Sequence, residues 1–375
     1  MLRDELKAAL VVIGMTFTPL FVQADQPMYM NPRQEPLGYE PGEKIRDGQV
    51  PGAYHQSSMY TCTNPWEVFF TGNYLCWKWQ QDSFQLGTLV KEGPDALAPF
   101  RGNATALFQD PNYASGFRTG VGINLNGMDN WSLYSEYTWY ENTDHTQISG
   151  GSLHPVVLPI SSFRSDQTLG SQSKIVGTIA SEVELGFQAL DFLAQRPFYF
   201  GKRVTVNVGV GLRAQWMSQN FNISGSDLSD ETTGLEISSL SVESAESTWG
   251  LGPKLALDSN WLLGYGFKIK GNFSTSILYT SYNTSVDRSE TVTDVGTLVN
   301  RVIGLHNYGT LRPVTESFLG FGWGAYFCSN NFHIDFSLGY DFNVYWVYNM
   351  LNADRTQSVG NMYLHGVNIG ARFDF

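Results

Sequence analysis

Thirteen consecutive residues, Val204 to Trp216, carry an apolar side chain at every even position and Thr, Asn, Gly, Arg or Gln at every odd one. Strict period two makes a strand with two chemically different faces. A soluble strand usually ends after about 5 or 6 residues, whereas one that crosses a bilayer needs about 9 to 11. Lipid offers no hydrogen bonds to an open sheet edge, so strands with such an apolar face must close on one another. The constraint is a barrel.

The same alternation recurs along the chain. Phe117, Thr119, Val121, Ile123 and Leu125 oppose Arg118, Gly120, Gly122 and Asn124. Phe267, Ile269, Phe273 and Ile277 oppose Lys268, Lys270, Asn272, Ser274 and Ser276, and Phe332 to Val344 repeats the pattern. Further segments are Trp131 to Tyr140, Ile175 to Phe187, Trp249 to Leu257, Leu319 to Phe327 and, least clearly, Trp66 to Trp79. Between them, short turns at 126–130, 189–201, 258–260 and 328–331 alternate with long polar stretches at 80–115, 142–172, 218–245, 282–314 and 346–360. Short periplasmic turns and long extracellular loops are the organisation of an outer-membrane barrel. A soluble β-sandwich would put polar residues where these strands carry Trp, Phe, Ile and Val. The expectation is an all-β, closed antiparallel transmembrane β-barrel of about 10 strands, or 12 if Leu86 to Val90 adds a hairpin. Pro253 predicts a bulge or strand end, because proline removes a ladder hydrogen bond. Val208→Arg and Val210→Arg, on the lipid face, are predicted to cost about 2 to 4 kcal/mol, and Asn207→Arg far less.

Composition supports export and excludes one class of partner. Ala8 to Val22 is an apolar run behind Arg3 and Lys7, so residues 1–24 read as a secretory signal peptide cleaved after Ala24. Residues 25–64, polar and rich in Pro and Gly, read as a periplasmic or luminal segment, and 65–375 as the barrel. A formal net charge of -12 argues against nucleic acid, whose phosphates attract basic surfaces. Cys62, Cys76 and Cys328 fit no zinc or redox spacing. A Cys62 to Cys76 bridge is excluded if the first strand is continuous, because some 14 residues of strand far exceed the ~7 Å Cα limit. A Cys62 to Cys328 bridge, or three free thiols, stay open.

The chain ends on Tyr363-Leu-His-Gly-Val-Asn-Ile-Gly-Ala-Arg-Phe-Asp-Phe375, with Val367, Ile369, Ala371, Phe373 and Phe375 on one face. A terminal phenylalanine behind alternating apolars resembles the signal read by the barrel-assembly machinery. Gly116 to Gly122, Leu133 to Trp139, Arg196 to Lys202 with the strand that follows, and His365 to Phe375 resemble, in that order, the Legionella and chlamydia-type pore-forming major outer-membrane protein family. The resemblance runs from about residue 66 to the end. It implies an outer-membrane location and a general diffusion pore for small hydrophilic solutes with surface-exposed loops. It brings no catalytic residues, cofactor or metal, and it raises homo-oligomers or disulfide-linked envelope proteins as partners beside the membrane lipid.

In such a protein the inward residues carry function. The alternation assigns Arg118, Lys174, Arg203, Arg213, Lys254, Lys268, Lys270 and Arg372 to the lumen, with Glu67, Glu136, Glu182, Glu184, Glu316, Asp335, Asp341 and Asp374. The candidate pore-lining set is Arg118, Glu136, Glu182, Glu184, Arg213, Lys254, Lys268, Lys270, Asp335, Asp341 and Arg372. Balanced charge either lines a wet channel or pairs up and plugs it, leaving a structural or adhesive role for the loops. Asp227, Asp230, Glu231, Glu236, Glu243 and Glu246 form an acidic stretch that would focus small cations at a mouth, or simply be a solvated loop. Hydrolase and nucleotide-binding motifs are lacking, although His333 and Asp335 share a face, so an outer-membrane hydrolase is only a remote alternative. Trp131, Trp139, Trp216, Trp249, Trp261, Trp323 and Trp346 sit at strand ends, as interfacial girdles require.

Overall fold

The computed structural model describes residues 67–82, 85–91, 103–125, 131–149, 156–157, 175–200, 203–229, 236–292, 296–327, 332–349 and 360–375. The expected signal peptide (1–24) and polar segment (25–64) lie outside them, as do Cys62 and Cys328. In chain order the strands are β1 (Glu67–Gln81), β2 (Gln85–Lys91), β3 (Asn103–Phe108), β4 (Ala114–Leu125), β5 (Trp131–Ser149), β6 (Val156–Val157) and β7 (Ile175–Phe200). They continue as β8 (Val204–Ser229), β9 (Glu236–Gly264), β10 (Phe267–Val292), β11 (Gly296–Phe327), β12 (Phe332–Asn349) and β13 (Gly360–Asp374).

Ten of these form a closed antiparallel ring, ordered β1-β13-β12-β11-β10-β9-β8-β7-β5-β4 and back to β1. First and last strands pair from Phe69↔Asp374 to Gln81↔Met362, which removes the edges that lipid would leave unsatisfied. The hairpin foreseen at Leu86 to Val90 exists, but outside the ring: β2 and β3 pair, and β6 joins them to β7 at Val156↔Val176.

The strands are far longer than a bilayer needs. At ~3.3 Å per residue, the 26 residues of β7, β8 and β10 and the 32 of β11 extend about 85 to 105 Å. Tilted by about 35 to 45°, they rise far beyond an apolar band of about 25 Å. That band begins at the short-connection end, with Trp131, Phe200, Trp261, Phe267 and Phe332 exposed. It ends where Trp216 pairs in register with Trp249, whose ring meets Tyr279 at 6.2 Å between centroids. Val208, Val210, Leu255, Leu257, Phe273 and Ile277 fill the outer face between these girdles.

At the second girdle the chemistry of the two faces exchanges while the register runs on unbroken. Along β8 the outward residues change from Val208, Val210 and Trp216 to Ser218, Asn220, Asn222 and Ser224. The inward residues change from Thr205, Asn207 and Arg213 to Met217, Phe221 and Ile223. The wall therefore leaves the membrane as a water-facing sheet around an interior in which Met217, Phe221 and Ile223 are buried beside Gln219, Ser244 and Glu246.

This continuation corrects several connection assignments. Polar stretches read as long loops at 218–245 and 282–314 are in large part strand, with β8 running to Ser229 and β10 to Val292, and those at 142–172 and 346–360 begin as strand, with β5 running to Ser149 and β12 to Asn349. The gap between β8 and β9 is only 230–235. Two short turns also move, because residues 189–200 and 258–264 are strand, and the turn residues described are Arg203 and Tyr265–Gly266. Gly264 (φ 113°), Tyr265 (53°) and Gly266 (84°) make the second, a run of positive φ that two glycines accommodate. Pro253 causes no bulge: β8 pairs straight through it as Leu212↔Pro253, and on its other side the ladder to β10 lapses between Ser276↔Lys254 and Tyr279↔Leu251 without a shift.

Candidate functional site

Within the apolar band the barrel encloses a cavity of about 210 Å³, lined from all ten ring strands. Its wall is mostly polar: Thr71, Asn73, Gln195, Asn207, Asn272 and Asn368 stand among charged groups. Inward alternation supplies these side chains, since the face opposite to lipid must be satisfied by water or by its own hydrogen bonds.

An apolar roof lies beyond the cavity at the level of the Trp216 girdle. Trp77 and Trp79 of β1, Tyr140 of β5, Phe187 of β7, Met217 of β8, Leu278 of β10, Val314 of β11, Tyr345 and Tyr348 of β12 and Leu364 of β13 pack in one cluster. Phe187 and Tyr345 touch with ring centroids 5.8 Å apart. Their strands are five places apart in the ten-membered ring, on opposite walls, so the contact spans the lumen. A register shift between Tyr345 and Asn349, with Val347 at φ 53°, turns Tyr348 inward as well as Tyr345. The Tyr348 hydroxyl bridges Gln215 Nε2 and Thr248 Oγ1, each at 3.0 Å.

Beneath the roof four charges neutralise one another. Arg213 holds Asp191 through two hydrogen bonds of 2.7 and 2.8 Å and reaches Glu316 at 2.7 Å. Lys254 binds the same two carboxylates at 2.8 and 2.7 Å. Taking such charges out of water is tolerable only because each has opposite charge on two sides. Farther toward the short connections, Asp335 lies between Lys268 and Lys270. Asp374 accepts from Arg372 at 2.6 Å and meets His333 Nδ1 at 2.9 Å. Arg372 also lies over the Phe69 ring, 3.7 Å from its centroid. Arg118 pairs with Glu136 at 3.4 Å, and Asp341 accepts from Trp77 Nε1 at 3.1 Å and Asn368 Nδ2 at 2.9 Å.

Nine of the eleven candidate pore-lining residues are therefore inside the barrel. Arg118, Glu136, Lys254, Lys270, Asp335, Asp341 and Arg372 line the cavity, Arg213 lies under the roof, and buried Lys268 shares Asp335 with Lys270. Glu182 and Glu184 are on the outer face: Glu184 accepts from Asn220 at 2.9 Å and Glu182 is 3.7 Å from His145. Ile175 to Phe187 lies wholly beyond the second girdle, where the apolar residues Val183, Leu185 and Phe187 face inward, so reading apolar as lipid-facing inverts the parity there. Arg203 is exposed in a turn, and Lys174 and the Glu67 side chain lie outside the described residues. Asp191 and Asp258, both inward, escape a reading of the sequence that places 189–201 and 258–260 in turns. The acidic stretch is divided: Glu243 is exposed, Glu246 is buried, and Asp230 and Glu231 lie outside the described residues. His333 and Asp335 do share the inward face, but His333 turns its Nδ1 to Asp374. Cys76 is a free thiol between the inward Leu75 and Trp77.

Comparison with known proteins identifies a family for this architecture. Residues 63–375 match the family described as Legionella pneumophila major outer membrane protein precursor. No curated protein matches. Among solved structures, a major outer membrane protein from Thermus thermophilus is 12% identical, with 83% of this chain and 100% of that chain covered and a TM-score of 0.29. The outer membrane protease OmpT from Escherichia coli is 10% identical, with 85% and 99% covered and a TM-score of 0.37. A Pseudomonas aeruginosa FadL homologue is 7% identical, with 88% and 99% covered and a TM-score of 0.26.

Proposed function

Since the chain belongs to the Legionella major outer membrane protein family, and so to the outer membrane, we propose that it forms a pore for small hydrophilic solutes and ions whose lumen is closed at rest. The polar chamber supports the solute half of this reading, because hydrogen-bonding groups of both signs replace part of a solute's hydration shell. The Phe187 and Tyr345 contact supports the closed half and carries the reading. Passage requires these rings to part, and with them the apolar layer they centre. The C-terminal strand ending in Phe375 serves as the segment presented to the assembly machinery. We assign no catalytic step: His333 is packed against Tyr326, centroids 4.8 Å apart, and does not line the chamber.

Planar-bilayer conductance tests the reading with the full-length protein and a Phe187→Ala/Tyr345→Ala variant. The wild type is expected to insert and stay mostly closed, with the variant conducting steadily. A wild type that conducts continuously would overturn the closed state. If both are silent, the chamber is structural and the second reading takes over, in which the protein acts through its surface. The wall rising beyond the apolar band, with Ser218, Asn220, Asn222 and Ser224 facing outward, favours that reading.

A further inference from the structure

The chamber's charges do not cancel. Four basic and five acidic side chains line it. Arg118 is matched by Glu136, Lys254 by Glu316, and Lys270 by Asp335, which it shares with Lys268 outside the lining. Arg372 turns to Asp374, which lies outside the lining. Two carboxylates are left, and Asp341 already receives two N–H donors. Asp258 receives one, from Gln195 Nε2 at 3.1 Å to Oδ2, and has no cation within salt-bridge distance among the described residues. Its other oxygen is an anionic acceptor open to a further donor.

A second, independent feature stands beside it. Asn207 is directly opposite Asp258 in the β8–β9 register. It lines the chamber, is 2% exposed, and its Oδ1 has no hydrogen-bond partner among the described residues. A buried acceptor left empty is destabilising, so its persistence beside a carboxylate calls for a donor. Asn272 faces Asp258 from the other neighbouring strand and also lines the chamber. One carboxylate flanked by two amides, against a small cavity, asks for a compact guest with one positive charge and several N–H donors.

We propose that the chamber binds a primary ammonium group, with Asp258 as its counter-ion and Asn207 as a neighbouring acceptor. The inference rests on the chamber's solute-receiving role and names the class of solute. An ammonium head has three donors and no acceptor, which matches this wall. A quaternary ammonium carries the charge without the N–H groups and leaves both acceptors unsatisfied. A bare alkali ion can coordinate the same oxygens, so selection against potassium rests on the directional N–H hydrogen bonds that only an ammonium makes.

Equilibrium dialysis of radiolabelled methylammonium against the refolded full-length protein in detergent tests this, with potassium chloride and tetramethylammonium chloride as competitors at matched ionic strength. Saturable binding of one methylammonium per barrel is expected, weakened at least about tenfold in Asp258→Asn and severalfold in Asn207→Ala, with poor competition from both salts. Heat-modifiable gel migration verifies that each variant is folded, and Asn207→Ala decides if Asp258→Asn fails to fold. No saturable binding, binding unchanged in the folded variants, or potassium competing as well as unlabelled methylammonium would overturn the proposal. Bound methylammonium in a protein whose Phe187→Ala/Tyr345→Ala variant stays electrically silent would remove solute passage and leave the binding site standing.

Discussion

Val210 and Glu184 both face outward, yet they meet different surroundings. Val210 is 49% exposed inside the apolar band, where lipid surrounds it. Glu184 lies beyond the girdle and bonds to Asn220. Val210→Arg is expected to cost about 2 to 4 kcal/mol, as for a cation near the bilayer midplane, whereas Glu184→Arg should stay within about 0.5 kcal/mol, as for an ordinary surface change. Denaturant titration of the vesicle-reconstituted protein measures both, and equal costs would contradict the position of the girdle. Asn207→Arg needs revision. Alternation alone makes it mild, but the site is 2% exposed, and forcing a long side chain into packed space costs about 1 to 3 kcal/mol.

Among the strands, β7, β8, β9 and β11 are joined across the lumen side by Asp191, Arg213, Lys254 and Glu316. Asp191→Ala leaves Arg213 and Lys254 sharing one carboxylate in a buried place, and a loss of about 3 to 5 kcal/mol is expected. Replacing the pair together, Asp191→Leu with Arg213→Met, should cost less than Asp191→Ala, because no charge is then stranded. The same unfolding titration read as a double-mutant cycle checks this, and additive losses would show that the two groups act independently.

For the whole molecule, the outer surface predicts its own accessibility. With Cys62, Cys76 and Cys328 replaced by serine, Ser224→Cys on the water-facing extension should react on intact cells with a membrane-impermeant maleimide. Val210→Cys, beneath the girdle, should not. Labelling at both positions would mean that the band is thinner than the strand chemistry indicates, and labelling at neither that the extension is on the wrong side of the membrane.

Alternation by itself determined the fold class, a closed barrel of 10 or 12 strands, and the inward placement of Arg118, Arg213, Lys254, Lys268, Lys270, Asp335, Asp341 and Arg372. All of these depend on which neighbours in sequence share a face, a local property that period two records directly. Strand ends, the parity of Glu182 and Glu184, and the places of Asp191 and Asp258 were decided only by the tertiary structure. The lipid boundary cuts across every strand at one height, and no single segment marks where apolar stops meaning outward. Closure of the lumen is further from the sequence still. Phe187 and Tyr345 meet because ten strands bring opposite walls within reach of two side chains, and that distance is a property of the ring rather than of any strand within it.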